Sequence, residues 1–532
     1  MEFLILSSLE KVFCDEKPAA TPLKSLSMLK NERSSFQIVF CGNGNKINIS
    51  LSGKAAEFAK LYTVNDVPVG LAAFDDADDF YIKKTSGMYP DYLLETDGEI
   101  QTENGKWQSV WVELDPDSSF TGKTVIGISA DGCKAELEVE VIDALLPEQK
   151  LVYTNWYHAD CLCNYYGFEA MSDEFWQTNE NFIKTAVKHG MNCILTPIFT
   201  PPLDTKIGGE RRTIQLVGVK KTGGKYIFNF SNLKKWTDMC RRCGIEYFEM
   251  SHLFTQWGAK HAPKIVASDR KGRVKKIFGW STRTSSKKYD DFLRQFAVKL
   301  TEFLEKENLT EKCFFHVSDE PSMRDLKTYK KRAALINEIF ADFKVIDALS
   351  DFDFYEKGAV KCPIPCENDV ENFAGKVPEL WTYYCCGQGN ENVPNRFMSM
   401  PSQRGRILGM LIYKYDIKGF LQWGYNFYNT QYSIKAINPY EITDAGGAFP
   451  SGDSFVVYPG ENGNAIESLR LKVFYDAMQD LRALELLESK IGREKTLALL
   501  ENGTPISFKD YPHSAEWLLE TRERINKVIK EN

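Results

Sequence analysis

The sequence predicts a multidomain α/β fold, an N-terminal β-sandwich followed by a (β/α)8 TIM barrel with C-terminal helices, on three observations. Residues 1–148 alternate apolar and polar side chains with a period of two, and from 149 to 532 eight short apolar runs alternate with amphipathic helical runs. The carboxyl ends of those eight runs collect aromatic, imidazole and carboxylate side chains, as the catalytic face of such a barrel does.

The N-terminal domain, 1–148, is read from segments such as Ser35–Phe40, Ser109–Leu114 and Ala135–Val141, separated by Asn-Gly, Asp-Gly and proline turns. Strict alternation gives each sheet one core-facing side, which suits two packed sheets. Leu146-Pro147-Glu148-Gln149-Lys150 reads as a linker. The catalytic barrel, 149–532, has strands near 151–157, 192–198, 246–252, 313–319, 344–349, 360–365, 380–385 and 419–426. Helical runs follow at Glu174–His189, Asn232–Cys243, Tyr289–Glu307, Arg324–Phe340, Gln403–Tyr413 and Ala465–Lys490. Only a short polar stretch joins the fifth and sixth strands. The alternative, an open doubly wound sheet, lacks its Gly-x-Gly-x-x-Gly turn after any early strand.

Composition narrows the function. A chain of 532 residues, 43% apolar, buries a large core, and a net charge of −7 without long single-sign runs argues against nucleic acid as a partner. No run approaches the ~20 apolar residues of a membrane span, and Glu2 stands where an export signal carries positive charge, so the expectation is a cytoplasmic protein. Thirteen cysteines scattered among apolar neighbours read as free thiols. Cys240-Arg241-Arg242-Cys243 has metal-site spacing, but it ends a helical run and no second pair matches it. No metal and no cofactor are expected.

The richest segment is Cys313-Phe314-Phe315-His316-Val317-Ser318-Asp319-Glu320-Pro321. An apolar strand runs into two adjacent carboxylates, and Pro321 forces the chain out of the strand. Alternating side chains would face opposite ways, but a kink at the strand end turns both acids into one cleft. The competing reading makes Ser318, Asp319 and Ser322 capping residues for the helix that follows. The other strand ends decide between the two. They read Asn155-Trp156-Tyr157-His158, Thr200-Pro201-Pro202-Leu203-Asp204, Ser251-His252-Leu253-Phe254-Thr255-Gln256-Trp257, Trp381-Thr382-Tyr383-Tyr384 and Gln422-Trp423-Gly424-Tyr425-Asn426. Aromatic faces for the C–H side of a sugar, with polar groups for its hydroxyls, make a glycan site.

These motifs, with Thr213–Val217, His316–Pro321 and Ser451–Gly460, resemble glycoside hydrolase family 123, the β-N-acetylgalactosaminidases, and its uncharacterised bacterial relatives over most of the chain. The resemblance implies a sandwich before a barrel and a retaining exo-glycosidase. It also implies substrate assistance: the 2-acetamido oxygen of a terminal β-linked N-acetylgalactosamine attacks C1, giving an oxazolinium intermediate. Asp319 and Glu320 match the family's adjacent catalytic acids. Glu320 is then the acid, with a pKa raised by the neighbouring Asp319, and Asp319 orients the acetamido group. Tyr383 or Tyr384 supplies a donor to the acetamido oxygen. His158, Asp204, His252, Trp257, Trp280, Trp423 and Asn426 are the remaining expected substrate contacts. The alternatives are a glycosidase using Glu320 with a separate nucleophile such as Glu249, and a catalytically silent glycan-binding protein.

Overall fold

Eight parallel strands form one sheet in the order Cys362–Ile364, Lys344–Ala348, Cys313–Phe315, Tyr247–Met250, Cys193–Thr196, Val152–Asn155, Gly419–Gln422 and Trp381–Tyr384. The computed structural model describes residues 3–117 and 119–532. Met1 and Glu2, on which the export-signal reading partly rests, lie outside them. The sheet closes on itself where Tyr383 N donates to Pro365 O (3.1 Å), so the sixth and seventh strands meet and all eight expected strands take part. Each is shorter than its apolar run, because the run continues into the loop that carries the chemistry.

Side chains alternate between the barrel interior and the helical shell. Leu195, Phe314, Ile346, Ile364, Trp381, Tyr383 and Leu421 fill the interior, while Ile194, Phe248, Phe315, Val345, Tyr384 and Phe420 join the core under the helices. Gly419 is required by this packing, since a Cβ there would lie 2.1 Å from the Trp381 ring. The helices Asp173–Lys188, Ser231–Cys243, Lys287–Lys306, Leu326–Ile339 and Leu469–Ile491 fall within a few residues of expectation. Ser172 and Ser468 cap the first and last of these, their hydroxyls accepting from Phe175 N and Leu471 N. The run from Gln403 is broken, with helices at Ser402–Arg406 and Leu408–Lys414. Periodicity gave no notice of a four-stranded excursion, built from Gly218–Thr222, Lys225–Asn229, Ile265–Ser268 and Val274–Phe278 in the loops after the second and third barrel strands.

The N-terminal region holds two five-stranded sheets. One runs Phe3–Ser7, Ser34–Cys41, Trp107–Leu114, Ala59–Val69, Gly87–Thr96, and the other Ser25–Lys30, Cys133–Leu145, Gly122–Ala130, Lys46–Ser52, Glu99–Gln101. Phe36, Ile38, Val110 and Val112 of the first share a core with Met28, Ile126, Ile128 and Val139 of the second. Buried ion pairs tie these sheets to the C-terminal helices. Arg470 grips Asp91 with two 2.8 Å bonds, Arg522 grips Glu32 at 2.7 and 2.8 Å, and Lys472 meets Glu113. Removing one partner of such a pair costs about 3–5 kcal/mol, because the other charge is stranded in the interior.

Candidate active site

A cavity of about 230 Å³ opens at the carboxyl ends of the barrel strands. Asp204, Trp257, Asp319, Glu320, Tyr383 and Trp423 line it, so six of the eleven expected site residues come together, Tyr383 from within the seventh strand and the others from the loops after four more. Trp156, Gln256, Cys385, Cys386 and Phe449 also line it and were not singled out from sequence. Trp156 and Gln256 sit in the strand-one and strand-three motifs and were legible there; the others follow from loop conformation.

Glu320 has φ +40°, in the left-handed region. This turn reverses the alternation of the strand and brings Glu320 to the same cavity as Asp319. Trp257 N donates to Asp319 O (2.9 Å) and Glu320 N to Ala348 O (3.0 Å), holding the turn from both sides. Trp257 (φ +58°) and Asp204 (φ +37°), which line the same cavity, also take the left-handed conformation. Asp319 does not cap a helix. The helix Leu326–Ile339 begins without a side-chain cap, and Ser318 Oγ instead donates to Thr255 O (3.1 Å).

Asp319 is buried and Glu320 exposed, so one acid lies deep and the other toward the mouth. Burial, then the adjacent Glu320 carboxylate, hold Asp319 well above the usual carboxylate range. Tyr383 Oη donates to Glu320 Oε1 (2.7 Å). Burial also raises Asp204, to about 6, while its Oδ2 accepts from Tyr432 N (2.9 Å).

Beneath Asp319 lies a buried charged network. His316 Nε2 donates to Glu249 Oε1 (3.0 Å), and its Nδ1 faces Asp347 Oδ1 at 3.5 Å. Burial alone would lower the His316 pKa, but the two carboxylates raise it to about 9, so the ring is an imidazolium. Asp347 in turn accepts from Val317 N (2.9 Å) and Ser318 N (3.3 Å), fixing the backbone just ahead of Asp319. Glu249, the alternative nucleophile, is fully buried and also accepts from Thr154 Oγ1 and from Trp156 Nε1 (3.2 Å), so it does not line the cavity.

The other five expected contacts lie outside the cavity. His252 is buried against His316, ring centroids 4.2 Å apart, and edge-on to Trp156. Among the described residues His252, His316 and Asp347 are the group near enough to share a metal, but their rings stack and His316 turns its nitrogens to Glu249 and Asp347, an arrangement that pairs charges. His158 is buried with Nε2 on Trp423 O (2.9 Å) and Nδ1 on an Arg211 N–H (3.0 Å); burial and Arg211 lower it to about 3, so it is neutral. Asn426 accepts from His158 N (2.8 Å). These two pin the loops that carry Trp156 and Trp423. Trp280 lines a separate small cleft with Arg211 and Thr255. Tyr384 points into the shell against Phe420, one step out of phase with Tyr383. Trp423 is itself held by Asp453, whose Oδ2 accepts from its Nε1 (2.9 Å).

The model of the glycoside hydrolase 123 catalytic domain matches residues 156–487. A family 123 glycoside hydrolase from Clostridium perfringens, described in connection with glycolipid glycan hydrolysis, superposes with a TM-score of 0.75 at 16% identity, covering 100% of this chain and 97% of that one. A glycoside hydrolase family 5 mannosidase from Rhizomucor miehei reaches a TM-score of 0.35 at 13% identity over 64% of this chain and 94% of its own. No curated protein sequence matches the chain. No helix among the described residues is long and apolar enough to cross a membrane. The match to the family model spans more than half of the chain, its cavity sits at the catalytic face of the barrel, and the chain belongs to glycoside hydrolase family 123.

Proposed function

We propose that the protein is a retaining exo-glycosidase that releases terminal β-linked N-acetylgalactosamine through an oxazolinium intermediate. The observation that carries this reading is the arrangement of Asp319 and Glu320 as a deep and an outer acid in one cavity from which Glu249 is excluded. A protein-nucleophile mechanism needs a second carboxylate about 5–5.5 Å from the acid, across the sugar. Adjacent residues on one turn suit a different division of labour, in which the substrate's own acetamido oxygen attacks C1.

In that division Asp319 receives the acetamido N–H and steadies the positive charge that grows on it, an interaction strongest in the transition state. The N–H favours the ionised form of Asp319, so the proton that burial holds there in the free enzyme is available to Glu320 in the complex. Glu320, at the mouth, protonates the leaving oxygen and then takes a proton from the water that opens the intermediate. Tyr383 holds Glu320 in the free enzyme and donates to the acetamido oxygen in the complex. Trp423, Trp156 and Trp257 offer faces to the sugar, and Asp204 a hydroxyl contact. His158, His252, Trp280, Tyr384 and Asn426 are assigned to support, through Trp423, His316 and the loops. The N-terminal pair of sheets, 1–148, is read as an accessory β-sandwich and 149–532 as the catalytic unit.

A thiazoline mimic of the bicyclic intermediate tests the proposal. It should bind at least 10²-fold more tightly than free N-acetylgalactosamine, as transition-state analogues do, with much of that gain lost in Asp319→Asn. Asp204 is the further carboxylate on the cavity wall. Indifference to the thiazoline, with β-galactosides cleaved as fast as N-acetylgalactosaminides, would move the nucleophile's role to Asp204.

A further inference from the structure

The seventh barrel strand leaves the sheet as Tyr384-Cys385-Cys386-Gly387-Gln388. The turn is fixed: Cys385 N donates to Gln388 Oε1 (2.9 Å), Gln388 N to Cys385 O (3.1 Å), and Asn395 Nδ2 to the same carbonyl (2.9 Å). Both cysteines are free and partly exposed, and both line the cavity that holds Glu320 and Tyr383. The two residues are neighbours in the chain, and the Cys386 side chain, then burial, hold the Cys385 thiol well above the ordinary range. Nothing in the glycosidase mechanism uses them. Two soft donors adjacent in the chain and lining one cavity make a bidentate site for a thiophile.

We propose that Cys385 and Cys386 form a dithiol site for trivalent arsenicals, and that its occupation closes the sugar cavity beside Glu320. Both thiols condense with the probe: two S–As bonds form, the arsenic–oxygen bond breaks, and the oxygen leaves as water with the two thiol protons. Arsenic stays trivalent, and no oxidant is needed. The chain's other close cysteines do not offer this. Cys161 and Cys163 are both buried, Cys366 is buried in the Cys362/Cys366 pair, and in the Cys240/Cys243 pair Cys240 is buried in the helix packing.

The test uses the full chain with phenylarsine oxide, read by intact mass, by titratable thiols and by hydrolysis of an aryl N-acetylgalactosaminide. The expected result is a single adduct that removes two thiols and blocks hydrolysis, reversed by 2,3-dimercaptopropanol. Because the second bond is intramolecular, Cys385→Ser or Cys386→Ser should each weaken probe binding by on the order of 10²-fold, while Cys240→Ser leaves it unchanged. Inhibition of each variant is scored against its own uninhibited rate. An adduct that persists in the double variant, or that disappears in Cys240→Ser, overturns the site. An adduct at Cys385 and Cys386 with undiminished hydrolysis overturns the closure. The closure arm rests on the glycosidase reading; mass and thiol counts decide the site even for a chain that cleaves none of the glycosides.

Discussion

Tyr383 donates a 2.7 Å hydrogen bond to Glu320, joining the seventh barrel strand to the turn after the fourth within the cavity. An acid catalyst must present its carboxyl to the leaving oxygen, and this bond ties one of the Glu320 oxygens to Tyr383. The proposed reaction therefore requires Tyr383 to change partner when substrate enters. Tyr383→Phe should lower kcat by about 10²-fold, the usual cost of one transition-state donor, while the fold is retained. An unchanged kcat would leave Tyr383 as a packing residue.

Glu320→Gln should separate substrates by leaving group. Turnover of natural glycosides should fall by about 10²–10⁴-fold, the contribution typical of general acid catalysis, with much smaller losses for activated aryl glycosides in the first step. Equal losses on both would remove Glu320 from the acid's role.

Asp319→Asn should slow both substrate classes, because the acetamido group must be oriented whatever leaves. The same variant should be the more heat-stable protein at neutral pH. Asp319 holds its proton above the ordinary range for an aspartate, about 3.9, so the native chain binds more protons than the unfolded one and loses stability as pH rises from there. Asparagine has no such cost. The difference in Tm should therefore widen from pH 4 to pH 7, and a constant difference would contradict the burial argument.

His316 behaves in the opposite chemical sense. Its folded pKa of about 9 exceeds that of an unfolded histidine, so its stabilisation is complete below pH ~6.5 and is lost as pH rises through about 9. The shift corresponds to an upper bound of about 3 kcal/mol at 1.36 kcal/mol per unit. Wild-type thermal stability should decline between pH 7 and pH 10, and His316→Asn should flatten that decline while starting from a lower Tm. A parallel decline in the variant would place the titration elsewhere.

Trp423→Ala should raise KM for sugars with little loss of stability, since the ring is only partly buried and Asp453 is left with other neighbours. Asp453→Asn, which keeps a hydrogen-bonding group beside the Trp423 indole, should act more mildly on KM. Unfolding of Trp423→Ala would assign the indole to the core.

Much of this was open to reading in the chain. The eight apolar runs became the eight barrel strands because a strand buried on both faces must be apolar throughout, which is a local property. Asp319 and Glu320 were visible for the same reason: two acids at the end of such a run are out of place in a core. The four-stranded excursion was missed because its strands are short, lysine-rich and half exposed, and so resemble loop.

The sequence by itself determined which residues lie at strand ends, and hence the barrel, the catalytic face and the pair of acids. Tertiary structure decided which way each of those residues points. Tyr383 and Tyr384 differ by a single step of strand alternation, and the closure of the barrel sends one inward and the other into the shell. His158, His252 and Asn426 carry sugar-binding chemistry, yet none lines the cavity: Arg211 bonds the His158 ring, Asn426 bonds the His158 backbone, and the His252 ring stacks on His316. The left-handed turn at Glu320 also depends on contacts distant in sequence, from Trp257 and Ala348. Periodicity reports burial along one segment, whereas convergence on a cavity depends on the register and loop path of several segments at once.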